Sequence, residues 1–181
     1  MPLRKLTLAE HISLDGVIEF GPDAPAGDWS APYRTAAGLE AVSAAYGEHF
    51  DLVLGRRTYD LWSSFWPTAP SSPMADRLNA ATKYVVTHRP ETLRWGPYAP
   101  LGPRLVDALN RLKNTGGPDL IVAGSSTLTS TLIEHGLADE LILVVYPILL
   151  GAGKRILAEG TPPRSFEPIS SRTFPSGVSL S

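Results

Sequence analysis

Apolar positions along the chain switch between two spacings, and each switch marks a new element. In RKLTLAEHISLDGVIEF, Leu6 and Leu8 alternate with polar neighbours, which predicts a strand that runs into a turn at Asp15-Gly16. GPDAPAGDWSAP, from Gly21 to Pro32, is crowded with Gly, Pro and Ala and reads as an irregular surface loop. GLEAVSAAYGEHF sets Leu39, Val42 and Tyr46 on one helical face and leads into the apolar run DLVLG, a buried strand. SSPMADRLNAAT predicts a helix, and KYVVTHR, Lys83 to Arg89, a second buried strand. RLVDALNRLKNTGG carries Leu105, Leu109 and Leu112 at helical spacing and stops at a Gly pair. PDLIVAGSSTLTSTLIEHG gives a strand, a polar turn, and a helix with Leu128 and Leu132 inward and Gly136 as its C-terminal cap. DELILVVYPILLGAG is a long strand, and the tail has weaker β character with a turn near Pro175-Ser176-Gly177. Strands alternating with helices predict a largely parallel sheet covered on both faces, and the lack of repeats or linkers predicts one domain over 1–181.

Composition narrows the classes. With 181 residues, 43% hydrophobic and 19% charged, the chain is long enough for a real core. A net charge of −2 gives no reason to expect nucleic acid or an anionic membrane as partner, so basic features must act locally. The absence of cysteine excludes disulfides, thiolate metal sites and cysteine nucleophiles. No stretch has the length of a membrane span or the pattern of a signal peptide, and the expectation is a cytoplasmic globular protein. His11, His49 and His135 lack metal-ligand spacing, so no metal is expected and surface or capping roles are assigned to them. No G-x-S-x-G motif marks a serine hydrolase.

Three apolar strands end alike, in VLG-RRTY, VVT-HR and IVAG-SST. Ligands of open α/β sheets sit at strand carboxyl ends beside helix N-termini, where free N–H groups and partial positive charge accept phosphate. The ends bring Arg56, Arg57 and Thr58, then Thr87, His88 and Arg89, then Ser125, Ser126 and Thr127. Arginine forks match phosphate oxygens and hydroxyls add donors, although Ser125 to Thr127 would serve equally as N-caps. More than one phosphate fits such a set, as in a dinucleotide. Yet no G-x-G-x-x-G follows a strand, and GAGKR at Gly151 to Arg155 lacks P-loop spacing, so a nucleotide site here belongs to another fold.

GRRTY after one strand, VVTHR after the next, AGSSTL opening a helix and ISLDGVI near the start resemble the dihydrofolate reductase-like superfamily. With DELILVVYPILLGAGKRI, the chain most resembles the group related to the reductase domain of riboflavin biosynthesis enzymes. The resemblance covers nearly the whole chain. It implies a three-layer α/β/α fold, with a mostly parallel central sheet and antiparallel C-terminal strands. It further implies NADPH as cofactor, with phosphates on Gly55, Arg56, Arg57, Thr58, Thr87, His88 and Arg89. The pyrophosphate would lie on Gly124, Ser125, Ser126 and Thr127, and the nicotinamide near Ala9, Ser13, Leu14 and Gly16.

Departures from the pattern are also present. RRTYDLWSSFWP replaces a segment that usually ends in an acidic-proline pair, and Ala123-Gly124 stands where dihydrofolate reductases have a Gly-Gly pair joined by a cis peptide. Those reductases grip the pterin with a buried acid on the helix before the GRxT strand, and Glu40 stands in roughly that place, although a solvated helix position reads the same way. Asp15 is the other acid candidate for catalysis, or simply a turn former. Trp29, Trp62 and Trp66 are expected to wall a flat ring pocket, or to pack in the core. The expected activity is hydride transfer from NADPH to a small heterocycle or carbonyl, a riboflavin-pathway pyrimidine or a pterin. An NADPH-binding protein without turnover and a structural dimer module are the competing classes. A homodimer through the C-terminal strands is expected, because LILVVYPILL would otherwise expose an apolar edge.

Overall fold

The computed structural model describes residues 3–19 and 28–181, so most of the loop expected from Gly21 lies outside the described residues. The chain runs β1 (Leu6–Ser13), β2 (Val17–Glu19), α1 (Ala36–Ala45), β3 (Phe50–Gly55), α2 (Arg56–Phe65), α3 (Pro73–Ala80), β4 (Lys83–Val86), β5 (Tyr98–Leu101) and α4 (Leu105–Lys113). It continues through β6 (Asp119–Ala123), α5 (Ser126–Glu134), β7 (Glu140–Tyr146), β8 (Lys154–Arg155), β9 (Arg172–Thr173) and β10 (Ser179–Leu180). Eight strands form one sheet in the order β5-β4-β3-β6-β1-β7-β10-β9, and β2 pairs with β8 in a separate ribbon. Pairing is parallel from β5 to β7, whereas β10 runs antiparallel to both β7 and β9.

Alternation along the strands splits the core into two layers. Leu6, Leu8, Val53, Leu120 and Val122 face Leu109 and Leu112 of α4 and Leu128 and Leu132 of α5. Ala9, Leu52, Leu54, Ile121 and Ala123 face Tyr59 of α2 and Leu78 of α3. Strands buried on both faces need continuous apolar runs, which is why DLVLG and DLIVA belong at the centre. The predicted helical faces of α4 and α5 hold. The α5 helix closes as a Schellman motif, with Gly136 at φ 64 and Leu137 N–H donating to Leu132 O at 2.9 Å. The opposite ends of β1 and β3 are clamped by a buried ion pair between Arg4 and Asp51, while Asp51 also accepts from Thr82 N at 3.0 Å.

Three expectations need correction. Leu39 points to solvent at 54% exposure, because α1 covers only the β7–β10 flank of the sheet and buries Val42 alone. The strand predicted to run to Arg89 stops at Val86, where Thr87 turns the chain by accepting Arg89 N at 3.0 Å. β5 was not expected. Its sequence YAPL is short and contains proline, which a sheet tolerates at an edge, and β5 is the edge.

Candidate functional site

Adjacent parallel strands β3 and β6 end side by side, at Gly55 and Ala123, and each feeds a helix almost at once. Two helices are capped by side chains: Thr35 Oγ1 accepts from Gly38 N in α1, and Ser72 Oγ from Ala75 N in α3. α2 and α5 have no such cap. Gly55 has no side chain to offer, and Ser125, left-handed at φ 76, makes no cap bond. α4 also lacks a cap, but Asp107 in its first turn complements the helix dipole there. Two neighbouring helix N-termini therefore present first-turn amides with no side-chain acceptor, which is the requirement for holding an anion.

The two loops touch. A Cβ on Gly55 would lie 2.8 Å from Ser125 Oγ and 3.1 Å from Ser125 Cβ, and one on Gly124 (φ 68) would lie 3.3 Å from Thr58 Oγ1. Glycine at 55 is thus required by proximity, and at 124 by both proximity and backbone conformation. The Ala123–Gly124 bond is trans; the cis bond among the described residues is Gly96–Pro97.

Arg56 is already engaged. Its Nε donates to both oxygens of Asp60 at 2.8 and 2.9 Å, and its Nη1 to Thr92 Oγ1 at 2.6 Å, Arg89 O at 3.2 Å and Thr87 Oγ1 at 3.3 Å. It ties the β3–α2 corner to the turn after β4, so the first and second predicted clusters, Arg56 to Thr58 and Thr87 to Arg89, form one surface. Arg57 is mostly exposed and pairs with Glu19 of β2, a carboxylate that also faces Lys154 of β8 at 3.7 Å. His88 and Arg89 are exposed, and Ser126 and Thr127 open the first turn of α5.

At the carboxyl end of β1, Ala9 and Ser13 are buried, Leu14 is exposed, and Gly16 turns at φ 78. Asp15 is an anchor here. Its Oδ1 accepts from Ser13 Oγ at 2.7 Å and Leu150 N at 3.1 Å, and its Oδ2 from Gly151 N at 2.9 Å. The Ser13 hydroxyl first, then these amides, hold the carboxyl down to about 2, so Asp15 stays an anion and donates no proton at neutral pH. Glu40 is exposed on α1.

Sequence reasoning passed over a half-buried imidazole at the heart of the β1 face. His11 was expected at the surface or as a cap; it projects from the same face of β1 as Ala9 and Ser13 into a small, partly open pocket between α1 and β7, β10. Its Nδ1 lies 2.7 Å from Tyr146 Oη, and the rings stack with centroids 5.7 Å apart. Burial, then the Arg34 charge, pushes the imidazole down to about 4, and burial raises the Tyr146 phenol, so the pair is neutral at neutral pH. Ser176 Oγ, on the cavity wall, is buried and has no hydrogen-bond partner among the described residues. The clue was positional: a His between Ala9 and Ser13 in strict alternation had to share their face. The tryptophans do not make one wall. Trp29 packs edge-on to Tyr146 at 5.1 Å, while Trp62 and Trp66 pair at 6.0 Å against the α2–α3 core.

The family model of the RibD C-terminal domain matches residues 4–180. An uncharacterized Bacillus subtilis protein, YyaP, is 26% identical over 97% of this chain and 92% of its own length, and a second, YwjB, is 27% identical over 98% and 96%. Among solved structures, a putative riboflavin biosynthesis protein from Shewanella superposes with a TM-score of 0.67 at 22% identity, over 97% of this chain and 96% of that one. Dihydrofolate reductase from Enterococcus faecalis, solved with NADP(H), gives 0.61 at 15% identity, over 97% and 93%. A Thermotoga maritima deaminase/5-amino-6-(5-phosphoribosylamino)uracil reductase gives 0.65 at 16% identity; 98% of this chain spans about half, 55%, of that one. These likenesses show the dihydrofolate reductase-like fold.

Proposed function

The chain belongs to the RibD C-terminal domain family, and from that premise we propose that it is a reductase that holds NADPH across its strand ends and passes hydride to a small heterocycle or carbonyl in the His11 cavity. The observation that carries this reading is the contact of two side-chain-uncapped helix N-termini through Gly55 and Ser125. Free amides, a left-handed Gly124-Ser125 turn and hydroxyls at Thr58, Ser126 and Thr127 fit a pyrophosphate. Thr87, His88 and Arg89, drawn in by Arg56, would take a ribose phosphate, with Arg57 on the next residue of α2. NADP(H) in the Enterococcus reductase of the same fold supports the choice of cofactor.

When bound, NADPH supplies the hydride. The protein's part is to orient and enclose. Ala9, Ser13 and His11 line one face of β1, so a ring lying along Ala9 and Ser13 abuts whatever occupies the cavity. A neutral His11–Tyr146 pair and the Ser176 hydroxyl, which has no partner among the described residues, offer hydrogen bonds without charge, which suits an uncharged heterocycle better than an acid. The name of the Thermotoga relative supports a riboflavin-pathway pyrimidine as the first substrate to test, ahead of a dihydropterin. A binding protein without turnover is the second reading, favoured by Asp15 being locked as an anion and Glu40 facing solvent, which leaves neither as an obvious proton donor.

Thermal melting with NADPH and NADH tests the reading on wild type, Arg57→Ala and Arg89→Ala. Ligand at a hundred times Kd stabilises by about 2.7 kcal/mol, several degrees for a chain of this size. NADPH should shift the curve more than NADH, and both arginine variants should narrow the gap. NADPH oxidation with pyrimidine and pterin substrates then separates reductase from binder. No shift with either nucleotide overturns the proposal.

A further inference from the structure

Glu10 is a carboxyl buried where the proposed site gives it no role. It sits at the middle of β1, only 3% exposed, on the face that Leu6 and Leu8 turn toward α4 and α5. Its Oε1 lies 3.0 Å from Thr129 Oγ1, and Thr129 is fully buried. The same hydroxyl lies 3.3 Å from Ser125 O, which also accepts from Thr129 N at 3.0 Å. Ser125 is the left-handed residue of the anion loop, so a buried carboxyl reaches that loop through one hydroxyl.

A hydroxyl has one hydrogen. When Glu10 is ionised, Thr129 must donate to the carboxylate, and Ser125 O keeps only the amide. When Glu10 is protonated, its O–H donates to Thr129, and Thr129 turns its own hydrogen to Ser125 O. The proton on Glu10 therefore sets whether the loop carbonyl is held by one bond or two. It also sets whether a buried negative charge lies behind the amides that would face a phosphate.

Among the described residues, no cation offsets that charge. The inward residues of α5 are Leu128, Thr129, Leu132 and Ile133, and Leu143 of β7 is the register partner of Glu10. On the same face, Lys113 and Asp139 close on each other at the Leu6 end of the strand. The Tyr46 phenol also senses Glu10, and it is itself raised, chiefly by burial. Glu10 is accordingly pushed up to about 7, by burial against the smaller opposing effect of Thr129.

Resting on the proposed nucleotide site, we infer that Glu10 is a positioning residue that couples proton uptake to anion binding at the Gly124–Thr127 loop, acting through Thr129. The bound phosphate favours the neutral carboxyl, so the complex has the higher Glu10 pKa. Affinity is then full below the pKa of the free protein and falls as pH rises through the interval between the free and bound values. A bound-state pKa one unit higher makes the total fall tenfold.

The test is NADPH binding from pH 5.5 to 9 on wild type, Glu10→Gln, Thr129→Ser and Thr129→Val, with calorimetry in two buffers of different ionisation enthalpy at pH 7. Glu10→Gln mimics the protonated acid and cancels any titration of the nucleotide itself. It should hold the wild-type acid-side affinity across the range, and Thr129→Ser should keep the wild-type profile that Thr129→Val loses. Wild-type binding should take up protons in excess of Glu10→Gln. Parallel profiles in wild type and Glu10→Gln overturn the inference and leave the reductase reading standing. Should Glu10→Gln fail to fold, identical wild-type, Thr129→Ser and Thr129→Val profiles overturn it equally. Absence of nucleotide binding at every pH overturns both.

Discussion

Gly55→Ala probes the cradle by adding a single methyl group while removing no hydrogen-bond donor. Gly55 has φ −67 and ψ 153, a conformation alanine adopts freely, so any cost comes from space alone. The new methyl would meet Ser125 Oγ at 2.8 Å and Ser125 Cβ at 3.1 Å, with Leu128 Cδ1 at an ordinary 3.6 Å. Rotating the Ser125 hydroxyl relieves the first contact and leaves the second. Two carbons at 3.1 Å must part by roughly half an ångström to reach optimal separation, so the β6–α5 loop has to shift. Overpacking of this kind costs about 1–3 kcal/mol, at roughly 2–4 °C per kcal/mol for a chain of this size. The shift also widens the gap between the two amide sets, so NADPH affinity should drop about tenfold or more. Ser125→Gly removes both clashing atoms and suits the left-handed backbone at φ 76. The double variant should therefore recover most of the Gly55→Ala loss in both melting temperature and affinity. Gly102→Ala, with open space and no left-handed backbone, is the neutral control. If Gly55→Ala costs the same with Ser125 or Gly at position 125, the Ser125 contact is not the cause and the account of the cradle is wrong.

Two further predictions concern protons. His11 titrates at about 4 when folded, below the ordinary 6.5, so the unfolded chain binds the extra proton between those values. Stability should fall as pH drops from 6.5 toward 4, by up to about 3 kcal/mol from this group. Urea melts of His11→Gln should lose that part of the slope, and equal slopes in the two proteins refute the burial of the imidazole. Asp15 is held down to about 2, so its contribution is full above the ordinary 3.8 and is lost as pH falls from there through 2. Asp15→Asn should flatten acid denaturation over that window and loosen the Leu150–Gly151 connection, read as faster amide exchange there. Unchanged exchange refutes the anchor.

What was legible in the sequence was whatever repeated at a fixed period. The apolar runs of β3 and β6, the leucine spacing of α4 and α5, and the glycine closing α5 all state their own structure, because burial on both faces or on one stripe demands them. The strand ends of the candidate site were legible for the same reason: polar residues arriving at once after an apolar run locate the place where a strand leaves the core. What was not legible depends on partners distant in the chain. Glu10 looks like an ordinary polar position until Thr129, 119 residues later, closes over it. His11 needs Tyr146 to become an interior group, and Leu39 looks inward only if α1 is assumed to have a full sheet beneath it. Arg56 reads as a free cation, and the structure spends most of its donors on Asp60, Thr87, Arg89 and Thr92.

The place of β1 has a consequence for how the chain must be made. The strand at residues 6–13 is flanked by β6 and β7, with Leu6 opposite Leu120 and Thr7 opposite Glu140. Both neighbours are synthesised more than 110 residues later, a wait of roughly 6–22 seconds at ribosomal speeds of about 5–20 residues per second. Throughout that interval Leu6, Leu8 and Ile12 form an apolar strand with two open edges, the species most prone to pair with the wrong chain. The polar residues set among them, Thr7, Glu10 and His11, keep the nascent segment hydrated before the fold encloses them. Side chains that later serve the interior would thus first protect the chain during synthesis.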